Sequence, residues 1–152
     1  MTLKKLIVIF LICFVGTVSA QQVYINEILS TGSPDWIEVY NPSNQEVDIS
    51  GWQTWDPSTV STHYILPTGT VIPAYGYLVL LCDDNNTGLH TNYKLSSGGE
   101  TVWIGNASGQ VVDSVTFPDL SNNSGSSYGR IPDGSSTFEI FTTPTQGVTN
   151  GG

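Results

Sequence analysis

The chain has 152 residues, the usual size of one domain and too short for an enzyme built around an interdomain cleft. Thirteen acidic residues face four basic ones, and the net charge of −9 becomes −11 when Lys4 and Lys5 are removed with the N-terminal segment described next. A surface this acidic repels nucleic-acid phosphates and anionic lipid headgroups, so we expect no nucleic-acid partner and no adhesion to membranes.

The first twenty residues have the pattern of a secretory signal peptide. Lys4 and Lys5 give a positively charged start, residues 6–15 are uninterruptedly apolar, and Val18-Ser19-Ala20 resembles a cleavage site. This apolar run is much shorter than the roughly 20 residues that a membrane-spanning helix needs. We therefore predict a signal peptide at 1–20, one mature domain at 21–152, a secreted, extracellular or periplasmic location, and no membrane insertion after cleavage.

The mature chain has the composition of a β protein. Good helix formers are scarce, and short Val-, Ile-, Tyr-, Trp- and Thr-rich runs alternate with Gly, Pro, Asn, Asp and Ser. This pattern is typical of an all-β sandwich or barrel with about seven or eight strands. The predicted strands are Val23–Leu29, Trp36–Tyr40, Val47–Thr54, His63–Leu66, Tyr77–Cys82, Thr101–Ile104, Val111–Phe117 and Thr137–Phe141.

Alternation along these runs predicts which side chains are buried, because successive residues of a strand point to opposite faces. Val102 and Ile104 are expected to face the core, which places Trp103 on the other side of its strand. The continuous apolar run at residues 77–81 predicts a central strand that is buried on both faces.

Two carboxylates interrupt this alternation. Glu27 and Asp113 each share a face with apolar neighbours, unless a β-bulge shifts the register of their strands. A buried carboxylate needs hydrogen-bond donors or a cation, and the mature chain retains only Lys94 and Arg130 as cations. We predict that one of these acids, Glu27 first, accepts backbone N–H groups or pairs with Arg130.

The order of several short motifs resembles the lamin tail domain family. The likeness runs from Val23 to Asn150, and no single motif in it is very specific. The segments that carry it include Val23–Ile28, Asp35–Pro42, Val47–Trp52, Leu66–Pro67, Ile72–Val79, Val112–Val115, Ser127–Arg130, Pro132–Gly134 and Thr143–Thr145.

The resemblance implies an immunoglobulin-like β-sandwich, a fold found in the globular tail of nuclear lamins and in secreted bacterial proteins. In the bacterial proteins it commonly accompanies hydrolase or adhesion modules, which suggests an accessory domain. Nothing in the chain resembles the lamin coiled-coil rod. The family has no established catalytic residues, and the resemblance implies a structural hydrogen-bond network of Glu27, Glu38, Asn41 and Arg130.

The sequence offers little for catalysis. No Gly-x-Ser-x-Gly elbow occurs, His63 and His90 are far apart, and Cys82 ends an apolar run in which it is expected to be buried. These residues also make no zinc signature. We therefore expect a protein that is not an enzyme and needs no cofactor.

The loop at residues 83–88 allows two interpretations. Asp83, Asp84 and Asn86 offer oxygen ligands for calcium at the end of a strand, although the spacing and final glutamate of an EF-hand are missing. The alternative is a solvated turn rich in Asn and Asp.

Aromatic residues are abundant, with four tryptophans and seven tyrosines. Trp52, Trp55 and Trp103 are candidates for a surface on which sugar rings stack, and the alternative is that they fill the core. Trp55 is expected to be the most exposed, because Asp56-Pro57 follows directly.

These observations favour a secreted, non-catalytic module that binds or scaffolds at or outside the cell surface. We expect a monomer whose partner is a protein or a glycan. The alternative is a carbohydrate-binding module that uses exposed aromatic residues, with one structural calcium ion.

Overall fold

The computed structural model describes residues 22–151. The predicted signal peptide at 1–20 lies outside the described residues. Among residues 22–151, no helix is long and apolar enough to cross a membrane.

The described chain is an immunoglobulin-like β-sandwich, which confirms the predicted fold class. One sheet has five strands in the order β11-β10-β1-β2-β7, a second has four in the order β5-β4-β8-β9, and β3 pairs with β6. The strands are β1 (Tyr24–Leu29), β2 (Asp35–Tyr40), β3 (Val47–Asp48), β4 (Gln53–Trp55), β5 (Tyr64–Ile65), β6 (Val71–Ile72), β7 (Tyr77–Cys82), β8 (Glu100–Gly105), β9 (Val111–Phe117), β10 (Ser127–Arg130) and β11 (Phe138–Phe141).

Residues 22–151 contain eleven strands where seven or eight were predicted. The predicted strand Val47–Thr54 divides into β3 and β4, because the chain turns at Gly51, whose φ is 72°. The prediction also missed β6 and β10. The first is only two residues long, and the second contains Gly129 and little apolar sequence, so neither produces an alternating apolar run.

The core lies between the two larger sheets and follows the expected alternation. Val102 and Ile104 are fully buried, and Trp103 between them is half-buried on the opposite face of β8. Thr54 points inward from β4, where its hydroxyl lies 2.7 Å from the hydroxyl of the buried Tyr93. The inner faces of both sheets therefore close over one contiguous apolar cluster.

The prediction that residues 77–81 form a central strand is wrong, although the strand itself is present. β7 pairs only with β2 and is an edge of the five-stranded sheet, so its side chains are half-buried apart from Leu80 and Cys82. The neighbouring loop covers this edge: the N–H of Leu81 donates to the carbonyl of Leu89, and the N–H of Thr91 donates to the carbonyl of Leu81, both at 2.8 Å.

A β-bulge lies beside each of the two carboxylates that break the alternation, but only the first bulge changes the face of its acid. In β1 the register with β2 shifts between Ile25 and Glu27, which turns the Glu27 side chain to the outer face of the sheet. In β9 the extra residue is Val112, and Asp113 stays on the inner face, opposite the buried Ile104. Only the bulge in β1 therefore moves an acid away from the apolar cluster.

Gly129 of β10 lies against Asn150 of the C-terminal segment, which is residues 142–151, the part of the described chain after β11. A Cβ atom at this position would lie 2.7 Å from Cε2 of Phe141 and 2.8 Å from Nδ2 of Asn150. The absence of a side chain therefore lets the C-terminal segment lie directly on the outer face of the sheet.

We expect Gly129→Ala to lower the free energy of unfolding by about 1–3 kcal/mol, because both neighbours must move. Denaturant unfolding measures this loss. Gly98→Ala is the control, because its Cβ would meet only Oγ of Ser96 at 3.5 Å. Equal losses in the two variants would contradict the close packing at Gly129.

Candidate functional site

A buried polar cluster lies on the outer face of the five-stranded sheet. Glu27 of β1 and Glu38 of β2 are direct cross-strand partners, and both are completely buried. Glu27 accepts the backbone N–H of Thr145 at 2.9 Å, and it also accepts the hydroxyls of Thr145 and Ser127. The carboxylate thus receives a backbone N–H group, as expected from its burial, and makes no contact with Arg130.

Glu38 binds the same C-terminal segment two residues further along, at Gly147. Its Oε2 accepts the backbone N–H of Gly147 at 2.5 Å, and its Oε1 lies 3.4 Å from Nδ2 of Asn26. Burial raises the pKa of Glu38 to about 7, while the Gly147 N–H opposes the shift and the charges of Glu27 and Asp133 add to it. Glu38 is therefore a carboxyl group that gains its charge near neutral pH.

Asp133 extends the cluster to the end of the chain. It accepts Nδ2 of Asn26 at 2.9 Å, the Tyr77 hydroxyl at 2.6 Å and the backbone N–H of Asn150 at 3.1 Å. Burial and this contact with Asp133 raise the pKa of Tyr77 to about 12, so the phenol remains a donor. Asn150 in turn donates from Nδ2 to the carbonyl of Arg130 at 2.9 Å.

Arg130 makes the buried ion pair of the fold, and its partner is Asp113. Nη2 of Arg130 lies 2.9 Å from Oδ2 of Asp113, and both side chains are largely buried. Arg130 Nε also donates to the carbonyl of Ile25 at 2.8 Å, while Asp113 accepts the N–H of Ile25 at 2.8 Å. The pair therefore satisfies two backbone groups of β1 beside the bulge, at a position that the pairing with β10 does not reach.

The four residues of the expected network are not in one place. Glu27 and Glu38 share the outer cluster, and Arg130 touches it through its carbonyl. Asn41 stands apart, where its Nδ2 donates to the carbonyl of Gln45 at 2.7 Å and holds a neighbouring turn. The sequence interpretation missed the donors of the cluster, which are Asn26, Ser127, Thr145 and Asn150. For Thr145 and Asn150 the signal available was a run of small polar residues after the last strand, whereas Asn26 and Ser127 lie within β1 and β10.

Trp52 and Trp55 fill the core or its edge, and the prediction that Trp55 is the most exposed of the three tryptophans is wrong. Trp52 belongs to the core, and both Trp52 and Trp55 are only 7% exposed. The Trp55 ring lies parallel to the His63 ring at 4.0 Å and to the Trp103 ring at 6.1 Å between centroids. Its far edge crosses Gly105, where a Cβ would lie 3.1 Å from the ring. Neighbouring rings on both sides therefore bury Trp55, and Trp103 alone of the three remains half-exposed.

In the acidic turn at 83–88, both carboxylate oxygens of Asp83 already have partners within the fold. Oδ2 of Asp83 lies 2.8 Å from Nδ1 of His90, and Oδ1 accepts the N–H of Asn85. Asp84 and Asn86 are exposed, with φ values of 63° and 54°. Among the described residues, no group of three or more His, Cys, Asp or Glu is placed to hold a metal ion.

His63, His90 and Cys82 lie in three separate places in the fold. His63 stacks on Trp55 and contacts Oε1 of Gln53 at 2.8 Å, whereas His90 contacts Asp83. Cys82 is 1% exposed, and burial raises the pKa of its thiol well above the ordinary value. A buried neutral thiol is not a nucleophile.

We expect Arg130→Met to cost roughly 3–5 kcal/mol of unfolding free energy, because Asp113 would lose its buried cation. Thermal and denaturant unfolding measure the effect. Lys94→Met is the matched control, since it removes the same charge from an exposed position. A variant at Arg130 as stable as this control would contradict the importance of the ion pair.

Glu38 makes stability depend on pH. Its pKa is raised to about 7 in the folded chain, so the folded state binds a proton that the unfolded state releases near pH 4.5. Glu38 therefore lowers the free energy of unfolding progressively as pH rises from about 4.5 to 7, by up to roughly 3 kcal/mol. We expect Glu38→Gln to lose less stability than the natural chain between these pH values, measured by denaturant unfolding. The exposed Glu46→Gln is the control, and parallel pH curves for Glu38→Gln and the natural chain would refute this origin.

Comparison with known proteins agrees with the architecture. A model of the family described as Lamin Tail Domain matches residues 17–119, which is more than half of the chain. No curated protein matches it. The family match ends before β10, β11 and the C-terminal segment that covers Glu27 and Glu38. The chain belongs to the lamin tail domain family.

Proposed function

We propose that this chain is a secreted, non-catalytic module that binds or scaffolds at or outside the cell surface. The observation that carries the proposal is that its buried ionisable side chains hold its own backbone. Glu27, Glu38 and the Arg130–Asp113 pair all bond to groups of the fold. The outer face of the four-stranded sheet and the sheet edges that no loop covers then remain for recognition of another molecule.

The N-terminal pattern supports secretion. The charged start at Lys4 and Lys5, the apolar run at 6–15 and the cleavage motif ending at Ala20 are the three parts of a signal peptide. Cleavage there leaves a mature chain with a net charge of −11, counted from the −9 of the whole by loss of two lysines. This charge favours solubility and opposes binding to nucleic acid.

Secretion is tested with the full chain in a secreting host. We expect the protein in the culture medium with Gln21 as its first residue, identified by mass spectrometry. Ile9→Arg places a charge inside the apolar run and is expected to retain the chain in the cell, whereas Ile9→Leu keeps the run apolar and serves as control. Equal secretion of both variants would contradict a signal peptide.

Binding is tested with the secreted chain, labelled and applied to the native cells and their extracellular material. We expect saturable retention that an excess of unlabelled chain displaces. Retention that does not saturate, or none at all, would refute a binding module and leave a domain without a partner at this surface.

One observation favours a glycan as the second candidate for the ligand. Trp103 is half-exposed on the outer face of the four-stranded sheet, and its cross-strand partner on β9 is the small, exposed Ser114. One side of the indole ring is therefore accessible for stacking against a sugar ring, next to a hydroxyl group.

A glycan array probed with the secreted chain tests this candidate. A hit should weaken about tenfold or more in Trp103→Ala, because the stacking surface is lost. Tyr75→Ala is the control, since Tyr75 is an aromatic residue 61% exposed elsewhere on the chain. An array without hits would rule the glycan candidate out and leave a protein partner.

A further inference from the structure

The core face of the five-stranded sheet continues beyond the edge of the sheet that covers it. Ile28 of β1, Tyr128 of β10 and Ile140 of β11 are successive cross-strand partners on this face. Ile28 is fully buried, Tyr128 is half-buried and Ile140 is 42% exposed. Exposure rises in this order because the opposite sheet ends at β9, which lies against β1.

The uncovered part of this face is apolar. Tyr128 stacks on Phe138 at 5.0 Å between ring centroids, and Ile140 lies beside them on the same side of β11. We call these three residues the β10–β11 shelf. The shelf is two strands wide, which is about 10 Å at the usual strand spacing.

The edge of β9 lies alongside this shelf. β9 has seven residues and pairs with β8 alone, so every second residue directs its N–H and C=O away from the sheet. Within residues 22–151, no turn or side-chain hydrogen bond reaches a backbone group of Val111–Phe117. The edge strand β7, in contrast, is covered by the loop through Leu89 and Thr91, and β5 is only two residues long.

We propose that the β9 edge and the β10–β11 shelf together dock one extended peptide strand of a partner protein. The strand extends the four-stranded sheet through hydrogen bonds with β9 and lays its apolar side chains on Tyr128, Phe138 and Ile140. This inference rests on the proposed function as a binding module and gives that module a surface and a class of partner.

The dimensions favour a single strand over a second copy of this chain. If two copies paired side by side through their β9 strands, β10 and β11 of one copy would extend beneath β9 of the other copy. The five-stranded sheet of that other copy already fills this space, so the two copies would collide. A lone strand carries no second sheet and fits the width of the shelf.

Charge indicates the remaining chemistry of the strand. The one acid in β9, Asp113, is paired with Arg130, so the edge itself is close to neutral. The exposed carboxylate of Asp119 lies two residues beyond the end of β9, on a chain with an acidic excess overall. A strand that alternates apolar residues with Lys or Arg is therefore complementary to the shelf and to its surroundings.

The test uses the secreted chain and a synthetic ten-residue peptide of alternating valine and lysine, near 0.15 M salt to screen distant charges. We expect saturable binding, together with slower amide hydrogen exchange in Val111–Phe117. A peptide with the same composition, in which all valines precede all lysines, is expected to bind at least tenfold more weakly. Equal binding of the two peptides, or exchange protection away from β9, would overturn the proposal.

Two further probes locate the contacts. Ile140→Ser should weaken binding about tenfold, whereas Ile65→Ser should not, although Ile65 is 62% exposed on the other sheet. Peptides N-methylated at all valines or at all lysines block hydrogen bonding along opposite edges. Only one edge of the peptide strand faces β9, so one of the two methylated peptides should lose binding and the other should keep it. Unchanged binding by both methylated peptides, or by Ile140→Ser, would overturn strand addition.

The outcomes separate this proposal from the proposed function. If the secreted chain and Ile140→Ser bind the native cell surface equally, the shelf is not the site, while the chain remains a binding module. If neither chain binds the cells, the proposed function itself fails. A dimer in sedimentation that Ile140→Ser abolishes would assign the shelf to self-association and overturn the peptide proposal.

Discussion

Two adjacent buried carboxylates are the constraint on which the rest of this structure depends. Glu27 and Glu38 lie side by side on the outer face of the five-stranded sheet, and no cation contacts either of them in residues 22–151. Backbone N–H groups of Thr145 and Gly147 satisfy them instead. The C-terminal segment is therefore part of the fold, although it contains no strand, and Gly129 leaves the space in which it lies.

The position of these acids follows from one extra residue in β1. Side-chain period along a strand is two, so the bulge between Ile25 and Glu27 reverses the face of everything that follows it. Beside the bulge, the pairing of β10 with β1 begins only at Glu27, and Asp113 and Arg130 bond to the N–H and C=O of Ile25. The bulge thus explains why Glu27 leaves the core, and the only buried ion pair of the described residues lies next to it.

The long strands could be predicted from the sequence, whereas the elements made of small or polar residues could not. Strands such as β7 and β9 have continuous or alternating apolar runs, and their bounds were predicted correctly. β10 was missed because its order comes from pairing on both sides, with Gly129 at its centre. Whether a run lies at an edge or in the middle of a sheet is a property of topology, which explains the incorrect position of β7.

The same distinction applies to the candidate sites. The sequence identifies Glu27 as a carboxylate that needs donors, but the donors come from residues more than a hundred positions away, such as Thr145, and carry no local signal. For Trp55, the following Asp56-Pro57 suggested exposure, yet stacking is decided by the strands on either side, which place His63 and Trp103 against it. Local sequence predicts what a side chain requires, and tertiary pairing decides what it contacts.

The unequal widths of the two sheets connect the fold to recognition. A sandwich whose sheets have equal width buries its inner faces completely, but here β10 and β11 extend beyond β9. The cost of that arrangement is exposed apolar surface at Ile140 beside an unpaired strand edge, a combination that proteins usually cover or protect with charge. β9 carries a single charged side chain, and Arg130 neutralises it. The interaction that stabilises β1 therefore also leaves the neighbouring edge without the charge that would repel an incoming strand.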